Sequence, residues 1–274
     1  MIAGSDRPLA PLGARVAPLA GAARLGAYTL LEADDPSGVV PRAGQFYMVA
    51  SEHGWGGGGA GRPYLPRALS FARARSVPGG VRLVFLLEDV GPGTHVLAGM
   101  ETGNGLRLTG PFGNGFETAA GAAVLVGGGI GVAPVMAIFD ELLAAGRSDL
   151  SVLLGFRGAQ HARVAELFDG AAVVATDDGS CGHHGFVTEL LEPHIANDGA
   201  TVYACGPPPM LESVRALCHH SRTPAQLALE SAMACGYGSC HGCVVPTRAG
   251  YVRLCLDGPV LHGEDLESAL VGGH

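Results

Sequence analysis

Four cysteines near the C-terminus constrain this chain more than any other feature of its sequence. Cys235, Cys240 and Cys243 are separated by four and two residues, and Cys255 follows after eleven more. This spacing is typical of a plant-type [2Fe–2S] site, in which one tight loop supplies three of the four thiolates. We therefore predict that the four cysteines bind a two-iron cluster, with Cys255 on a strand-like segment over residues 251–256.

The residues between the cysteines favour the same interpretation. Gly236, Gly238 and Gly242 permit positive φ angles and a close approach of the backbone to the cluster, and the amides of such a loop can donate to the sulfurs. The alternatives are a zinc site or buried free thiols. Zinc usually takes two C-x2–4-C pairs or added histidines. This chain has one tight C-x2-C pair, so we favour iron–sulfur and interpret His241 as a loop residue.

Composition excludes several classes of protein. With 274 residues, 47% apolar and 15% charged, the chain is long enough for two domains with a sizeable core. A net charge of −8 argues against non-specific nucleic-acid binding. Once four of the seven cysteines bind a cluster, Cys181, Cys205 and Cys218 remain as thiols. Free thiols suit a reducing cytoplasm better than a secreted, disulfide-linked protein.

Neither a signal peptide nor a membrane span is predicted. The N-terminus lacks a basic region followed by an apolar run. The most hydrophobic stretch, residues 122–139, contains four glycines and a proline. A buried strand, a glycine turn and a helix therefore fit this stretch better than a membrane-spanning helix.

The pattern of short elements predicts an α/β plus β fold in three parts. Strand-like runs broken by glycine and proline indicate an antiparallel β-barrel in residues 1–118; they lie at residues 45–50, 68–71, 81–87 and 106–109. Alternating strand-like and helical segments then predict a doubly wound parallel sheet in residues 119–225; they lie at residues 123–126, 134–145, 150–154, 163–168, 171–175, 187–191, 201–204 and 210–219. The cysteine segment occupies residues 226–274.

A glycine-rich turn follows the first strand of the predicted parallel sheet. Gly127, Gly128, Gly129 and Gly131 lie between that strand and a helix, with Pro134 in the first helical turn. Glycines in this context let backbone amides reach a pyrophosphate at the start of the helix. We therefore predict that these four glycines bind a nucleotide, although many glycine turns bind nothing.

Two motifs of the barrel region contain groups that bind phosphate. Arg67 and Ser70 on one strand would clamp a phosphate and bond the edge of a flavin ring. Gly91, Gly93 and Thr94 would offer amides and a hydroxyl to the same diphosphate. A surface arginine, a strand serine and an ordinary turn are the alternative readings, and without wider context the residues favour them.

Residues after two further strands are candidates for contact with a nicotinamide nucleotide. Cys205, Gly206 and Pro207 follow a predicted strand, and ligands of parallel sheets bind beyond the carboxyl ends of the strands. Cys205 would lie beside the nicotinamide, or would be a small buried apolar residue. Asp178 follows another strand, where it would contact a ribose or form an Asx turn.

The choice between NAD and NADP is left open by the residues. An acidic side chain near the end of the second strand usually binds the 2′-hydroxyl of NAD, whereas an arginine accommodates the 2′-phosphate of NADP. The second strand here ends in Arg157, with no acid beside it.

The order of these motifs resembles that of the ferredoxin-reductase superfamily. More closely, it is similar to the electron-transfer subunits of NAD-linked dihydroorotate dehydrogenase of the B type, over about residues 20–266. The cysteine set that follows Glu230 is the most specific part. The resemblance depends on these motifs: Arg67-x-Leu69-Ser70, Gly91-x-Gly93-Thr94, residues 110–115, 127–134, 178–180, 185–188 and 205–207, and the four cysteines.

The resemblance implies three cofactors and a partner. FAD would lie between barrel and sheet, near Arg67, Leu69, Ser70, Gly93 and Thr94. A [2Fe–2S] cluster would bind the four cysteines, and NAD would bind the sheet. The partner would be an FMN-containing catalytic subunit of dihydroorotate dehydrogenase, commonly in a heterotetramer. Two departures are Ala68, where the family often has proline, and a long glycine-rich insert at residues 54–61.

The function that follows is an electron relay from dihydroorotate oxidation in the partner to NAD⁺, within pyrimidine biosynthesis. Cys205 and Glu230 are predicted neighbours of the flavin. A related alternative is a relay subunit of an NADH-dependent ferredoxin:NADP oxidoreductase or a sulfhydrogenase. An alternative of another class is a nucleotide-binding redox sensor, which would contain no flavin.

Overall fold

A computed structural model describes residues 13–56, 61–195 and 199–270. Part of the glycine-rich insert (residues 57–60) lies outside the described residues, as does most of the N-terminal stretch on which the signal-peptide prediction depends. Within the described residues, no helix is both long and apolar enough to cross a membrane.

The first part of the chain is a closed barrel of six antiparallel strands, ordered β1-β2-β5-β4-β3-β6. Its strands alternate buried and exposed side chains, as expected for a barrel with one face inward. A short helix, α1 (Pro92–Ala98), connects β5 to β6. The strands are β1 (Arg15–Leu25), β2 (Tyr28–Asp35), β3 (Phe46–Ser51), β4 (Arg67–Val77), β5 (Gly80–Glu88) and β6 (Gly105–Phe112).

The second part is a seven-stranded sheet in the order β10-β9-β8-β7-β11-β12-β15. Six strands are parallel, and β15 pairs antiparallel with β12. All residues of β7 and β11 are buried, since helices cover both faces of the sheet. The strands are β7 (Ala123–Gly128), β8 (Leu150–Phe156), β9 (Ala172–Thr176), β10 (His183–His184), β11 (Thr201–Cys205), β12 (Ala225–Ala228) and β15 (Val260–His262).

In the described residues, four α-helices and three 3₁₀ helices accompany this sheet, and the third 3₁₀ helix is Gly263–Asp265. The turn at residues 129–131 is a 3₁₀ helix that leads directly into α2, and the helix predicted at residues 163–168 is also 3₁₀. The α-helices are α2 (Val132–Ala144), α3 (Ala159–Ala162), α4 (Val187–Ile195) and α5 (Pro208–Ser221).

The cysteine segment contains a hairpin of β13 (Val244–Thr247) and β14 (Gly250–Arg253). The strand predicted over residues 251–256 is therefore too long, and Cys255 lies in the turn after β14. The strand ends because the backbone amides of Leu256 and Asp257 donate to the Arg253 carbonyl and close that turn. The Asp257 carboxylate also accepts from the Arg253 amide at 2.9 Å.

The fold class predicted from the sequence is confirmed. The sheet also extends past residue 225, because the chain leaves it at β12, forms the cysteine segment and returns at β15. Barrel and sheet meet through α2, where Arg73 Nε of β4 lies 3.2 Å from Asp140 Oδ2. The cleft between them opens at the carboxyl ends of the parallel strands, where such sheets bind their ligands.

Candidate functional site

The glycine turn forms one wall of a cavity of about 670 Å³ between the barrel and the sheet. A Cβ atom on Gly131 would clash with the Cys205 carbonyl, and one on Gly128 would clash with Met210 Sδ. Glycine is therefore required for the turn to pack against the end of β11. The walls of the cavity are formed by Tyr28, Glu88, Gly128, Gly129, Ile130, Gly131, Gly155, Phe156, Arg157, His161, Asp177, Phe186, Val187, Thr188, Gly206, Pro207, Pro208, Pro209, Met210, Ser213 and Glu230.

Most residues predicted to bind a nucleotide lie on this cavity. Gly128, Gly129 and Gly131 line it, together with Gly206 and Pro207. Gly127 lies one step behind, where it pairs with Cys205 across the strands β7 and β11.

The residue predicted to contact a ribose lies in the turn after β9. Asp177 lines the cavity, whereas the Asp178 carboxylate accepts from the Ser180 amide at 2.9 Å and from its hydroxyl at 2.5 Å. The hydrogen bonds from Ser180 hold the pKa of Asp178 below its usual value. Asp178 thus forms the Asx-type turn that the sequence offered as the alternative.

Polar residues of the barrel and of the sheet meet inside the cavity. Glu88 Oε1 lies 3.1 Å from His161 Nε2 and 3.6 Å from Arg157 Nη2. The His161 ring packs edge-on against Tyr28 at 5.7 Å. Burial raises the pKa of Tyr28, and the Glu88 carboxylate raises it further. Arg157 was singled out from the sequence, whereas Tyr28, Glu88 and His161 come from distant parts of the chain and no local motif marks them.

A second, smaller cavity of about 180 Å³ lies where barrel, α2 and cysteine segment meet. Leu69 and Ser70 of β4 line it, and Ala133 and Pro134 of α2 form the opposite wall. Ile130 and Glu230 line both cavities, so the two spaces share a wall. A flat apolar ring at this junction would touch all three parts of the fold.

Arg67 lies beside Gly93, as the proposed phosphate clamp requires. A Cβ on Gly93 would clash with the Arg67 guanidinium, so the absence of a side chain gives the arginine its position. Thr94 Oγ1 accepts from the amides of Val90 and Gly91 at 3.0 Å and orders the turn before α1. The Arg67 guanidinium also lies 5.6 Å from the centre of the Trp55 ring. Trp55 is half-buried against the core, and is not the isolated loop residue that its glycine-rich surroundings suggest.

The Cys205 thiol is buried at the end of β11 and lies 4.0 Å from Glu230 Oε1. Burial raises the pKa of Cys205 well above its ordinary value, and the Glu230 carboxylate adds to this effect. One side of Glu230 is open to the cleft, but protein surrounds the rest of the side chain. This burial raises the pKa of the Glu230 carboxyl. The two groups predicted near the flavin are therefore close together, and burial shifts the pKa of each upward.

The four C-terminal cysteines form two pairs. Cys243 Sγ lies 3.2 Å from Cys255 Sγ, both buried, whereas Cys240 is exposed and its amide donates to Cys235 Sγ at 3.5 Å. Burial would raise the pKa of Cys235, but hydrogen bonds, chiefly from the Cys240 and Tyr237 amides, outweigh it and lower this pKa to about 6. The thiolate form that binds a metal is thereby favoured.

This arrangement fits a two-iron cluster, in which four thiolates are shared between two irons. Among the residues that the structure describes, no three His, Cys, Asp or Glu side chains converge tightly enough to hold one metal ion. Burial is the main reason that the pKa of Cys255 rises to about 12, and its hydrogen bond with Cys243 raises it further. The donor set and its division into pairs therefore match the iron–sulfur prediction.

The backbone of the cysteine loop follows the prediction at two of three glycines. Gly236 and Gly238 have φ angles of +79° and +87°, and a Cβ on Gly236 would lie 2.5 Å from Met48 Cγ of β3. Gly242 does not have a positive φ; its neighbour His241 does, at +59°. His241 is exposed and serves the loop through its backbone.

Comparisons with known proteins agree with this geometry. Residues 125–216 match the oxidoreductase NAD-binding domain, and residues 230–267 match the iron–sulfur cluster binding domain of dihydroorotate dehydrogenase B. A solved structure described as an NADH-dependent reduced ferredoxin-NADP oxidoreductase superposes with a TM-score of 0.78 at 24% identity, covering 93% of this chain and 91% of that one. A ferredoxin NADP⁺ reductase from Neisseria gonorrhoeae, with FAD and NADP bound, gives 0.60 at 17% identity, covering 76% and 91%. The fold is thus that of the ferredoxin reductases.

Curated relatives make the assignment more specific. The dihydroorotate dehydrogenase B (NAD(+)) electron transfer subunit of Caldanaerobacter subterraneus subsp. tengcongensis is 35% identical over 236 residues, covering 84% of this chain and 88% of the relative. That of Bacillus caldolyticus is 38% identical over 214 residues, covering 74% and 80%. The chain belongs to the family of dihydroorotate dehydrogenase B electron transfer subunits, which confirms the resemblance seen in its motifs.

Proposed function

We propose that this chain relays electrons between the FMN-containing catalytic subunit of a dihydroorotate dehydrogenase and NAD⁺, through a [2Fe–2S] cluster and FAD. The cluster would carry one electron at a time, and the nicotinamide accepts two electrons as a hydride. A flavin can exchange electrons singly or in pairs. The observation that carries the proposal is the position of Glu230, which lines both cavities and begins the segment that contains the four cysteines. The nucleotide and flavin sites therefore share a wall, and the chain continues from that wall into the cysteines.

The barrel supplies the proposed FAD site. Arg67 neutralises the diphosphate, and Gly91, Gly93 and Thr94 shape the turn beside it. Leu69 and Ser70 line the small cavity, where an apolar side chain supports the ring and a hydroxyl bonds its edge. Ala68, which replaces the proline common in the family, also lines this cavity and leaves the arginine and serine in place.

The sheet supplies the proposed NAD site. Gly127, Gly128, Gly129 and Gly131 leave room for a pyrophosphate at the start of the turn that leads into α2. Gly206 and Pro207 bound the nicotinamide end, and Asp178 orders the loop beside the ribose. Cys205 and Glu230 would lie between nicotinamide and flavin, where burial raises the pKa of both side chains.

Cys235, Cys240, Cys243 and Cys255 are the proposed iron ligands. Cys240 is exposed and Cys235 half-buried, whereas Cys243 and Cys255 are both buried. This polarity suits a group that exchanges electrons with a partner subunit on one side and with a flavin on the other. Exposed tyrosines flank the cysteines, Tyr237 at 52% and Tyr251 at 80% exposure, and provide an apolar surface for that partner.

The remaining parts of the proposal concern organisation. The chain acts as an NAD-linked oxidoreductase subunit that needs its catalytic partner, in a heterotetramer. Residues 1–118 and 119–225 are its FAD and nucleotide parts, and residues 226–274 are its cluster part, which also adds β15 to the sheet. A cytoplasmic location agrees with the seven cysteines, none of which forms a disulfide.

A substitution in the exposed cysteine pair tests the relay. Cys240→Ser should remove the visible absorption of the cluster, leave reduction of the flavin by NADH largely intact, and abolish electron transfer between dihydroorotate and NAD⁺ in the complex. The matched control is Cys181→Ser, because Cys181 is also exposed but lies outside the cysteine pairs. Full dihydroorotate-to-NAD⁺ turnover by the Cys240 variant would refute the relay. A purified protein without flavin absorption would instead indicate the redox sensor.

A further inference from the structure

One carboxylate of the barrel pairs with two basic side chains of the sheet inside the large cavity. Glu88, the last residue of β5, lies 3.1 Å from His161 of α3 and 3.6 Å from Arg157, which follows β8. The Glu88 side chain is only 21% exposed, whereas Arg157 is 73% exposed. The partly buried carboxylate is thus fixed, and the arginine reaches it from the edge of the cavity.

These residues line the place where a nucleotide ribose would lie, on the nucleotide site of the proposed function. Arg157 and Asp177 follow the adjacent strands β8 and β9, at the carboxyl edge of the sheet. The Tyr28 side chain is fully buried and lines the same cavity, yet its hydroxyl has no hydrogen-bond partner among the described residues. An unpaired buried hydroxyl at this position indicates a ligand that supplies a polar group.

The charges around this position differ from what a 2′-phosphate requires. Arg157 is the side chain that would bind such a phosphate, but its guanidinium already faces the Glu88 carboxylate. Asp177 lines the cavity nearby. A phosphate placed here would meet two carboxylates and one cation already paired, and like charges at close range are strongly unfavourable. A ribose hydroxyl, by contrast, can donate a hydrogen bond to a carboxylate.

We propose that Glu88 determines the choice of nicotinamide nucleotide. Its carboxylate pairs with the Arg157 guanidinium and places a negative charge on the cavity wall, so that NAD binds and NADP is rejected. The determinant is thus a barrel residue and not part of the nucleotide-binding sheet. This inference depends on the nucleotide site of the proposed function and names the residue that sets its specificity.

The test compares two ligands that differ only in the 2′-phosphate. Binding of 5′-AMP and of adenosine 2′,5′-bisphosphate to the flavin-loaded protein is measured by titration calorimetry, and flavin reduction by NADH and NADPH is measured in parallel. Glu88→Gln should improve the affinity for the bisphosphate relative to 5′-AMP at least tenfold. Asp89→Asn is the matched control, since it removes the same charge one residue away, outside the cavity lining, and should leave the ratio unchanged.

The outcomes separate the inference from the proposed function. An unchanged ratio in the Glu88 variant, or an equal loss for both ligands, would overturn the inference and leave Glu88 as a structural contact. Failure of wild-type protein to bind either ligand, or to be reduced by NADH, would overturn the nucleotide site itself.

A second variant keeps the inference testable if Glu88→Gln does not fold. Arg157→Ser changes an exposed side chain, and because Glu88 already neutralises this arginine, the ratio of the two affinities should change less than threefold. A tenfold loss of bisphosphate affinity in this variant would show that Arg157 is available to phosphate, and would contradict the inference.

Discussion

The Cys205 thiol lies 4.0 Å from the Glu230 carboxylate, at the point where β11 meets the segment leading to the cysteines. Burial raises the pKa of both groups, and the Glu230 charge adds to the effect on the thiol. Folding therefore shifts the pKa of both neighbouring groups upward.

The first prediction concerns the pH dependence of stability at Glu230. A carboxyl whose pKa is raised by folding contributes stability that is complete below its unfolded pKa, 4.5, and is lost as pH rises through the folded value. The glutamine in Glu230→Gln does not titrate. Between pH 5 and pH 8, the melting temperature of this variant should therefore rise relative to that of wild type by about 1–3 °C. Thermal unfolding of the holoprotein measures this. The exposed Glu101→Gln is the control, and an equal gain there would contradict the prediction.

Glu212 gives the opposite pH dependence. Its carboxylate binds Arg215 Nη2 at 2.6 Å and accepts from the amide of Ala269 at 2.6 Å, which fastens the C-terminal residues to α5. The hydrogen bond from Arg215 is the main reason that its pKa falls from 4.5 to about 2. The resulting stability is present above pH 4.5 and is lost as pH falls toward 2.

Glu212→Gln should therefore lower the free energy of unfolding at pH 7 by about 1–2 kcal/mol. The difference from wild type should shrink as the pH falls below about 4.5. Urea denaturation at several pH values would show both effects, and a difference that stays constant with pH would mean that the charge of Glu212 is not responsible.

Gly131→Ala should damage the nucleotide site. The added Cβ would lie 2.6 Å from the Gly206 nitrogen and would clash with the Cys205 carbonyl, and backbone atoms cannot move aside as side chains do. We expect a loss of about 1–3 kcal/mol in stability and at least a tenfold higher KM for NADH in flavin reduction. Gly99→Ala, whose Cβ would meet nothing nearer than 3.6 Å, is the control. Normal NADH kinetics in the Gly131 variant would exclude this turn from the nucleotide site.

Tyr251→Ala should weaken the complex with the catalytic subunit. Tyr251 is 80% exposed on β14, next to the cysteine turn, so its removal leaves the fold intact. An aromatic residue at the centre of an interface contributes about 2 kcal/mol or more, so the dissociation constant should rise at least tenfold. Tyr64, 73% exposed on the barrel side, provides the matched alanine control. If wild type and both alanine variants bind the catalytic subunit with equal affinity, the partner contacts a different surface.

The sequence predicted those features of the fold that depend on local pattern. Spacing alone selected the four cysteines, and the structure brings them together in pairs. The glycine turn was predictable because a strand, four glycines and a helix follow one another directly. Asp178 shows the limit of such patterns, since the backbone of one turn decides which of two neighbouring aspartates lines the cavity.

Contacts between distant segments were beyond prediction. Tyr28, Glu88 and His161 meet only when the barrel docks on the sheet, and none has a distinctive sequence context. β15 has three residues and pairs antiparallel at the edge of a parallel sheet, so neither its length nor its pattern distinguishes it. Cys255 was placed on a strand because its neighbours are apolar, but hydrogen bonds to Arg253 end that strand first.

The return of the chain at β15 has a mechanical consequence. Ala228 and Val260 are paired in register on neighbouring strands, so the intervening cysteine segment is anchored at both ends within one rigid platform. A segment held in this way cannot swing like a tethered arm between donor and acceptor. The distance that an electron would cross between the cluster and the flavin is therefore fixed by the same sheet that binds the dinucleotide. The catalytic subunit would have to dock against this fixed segment.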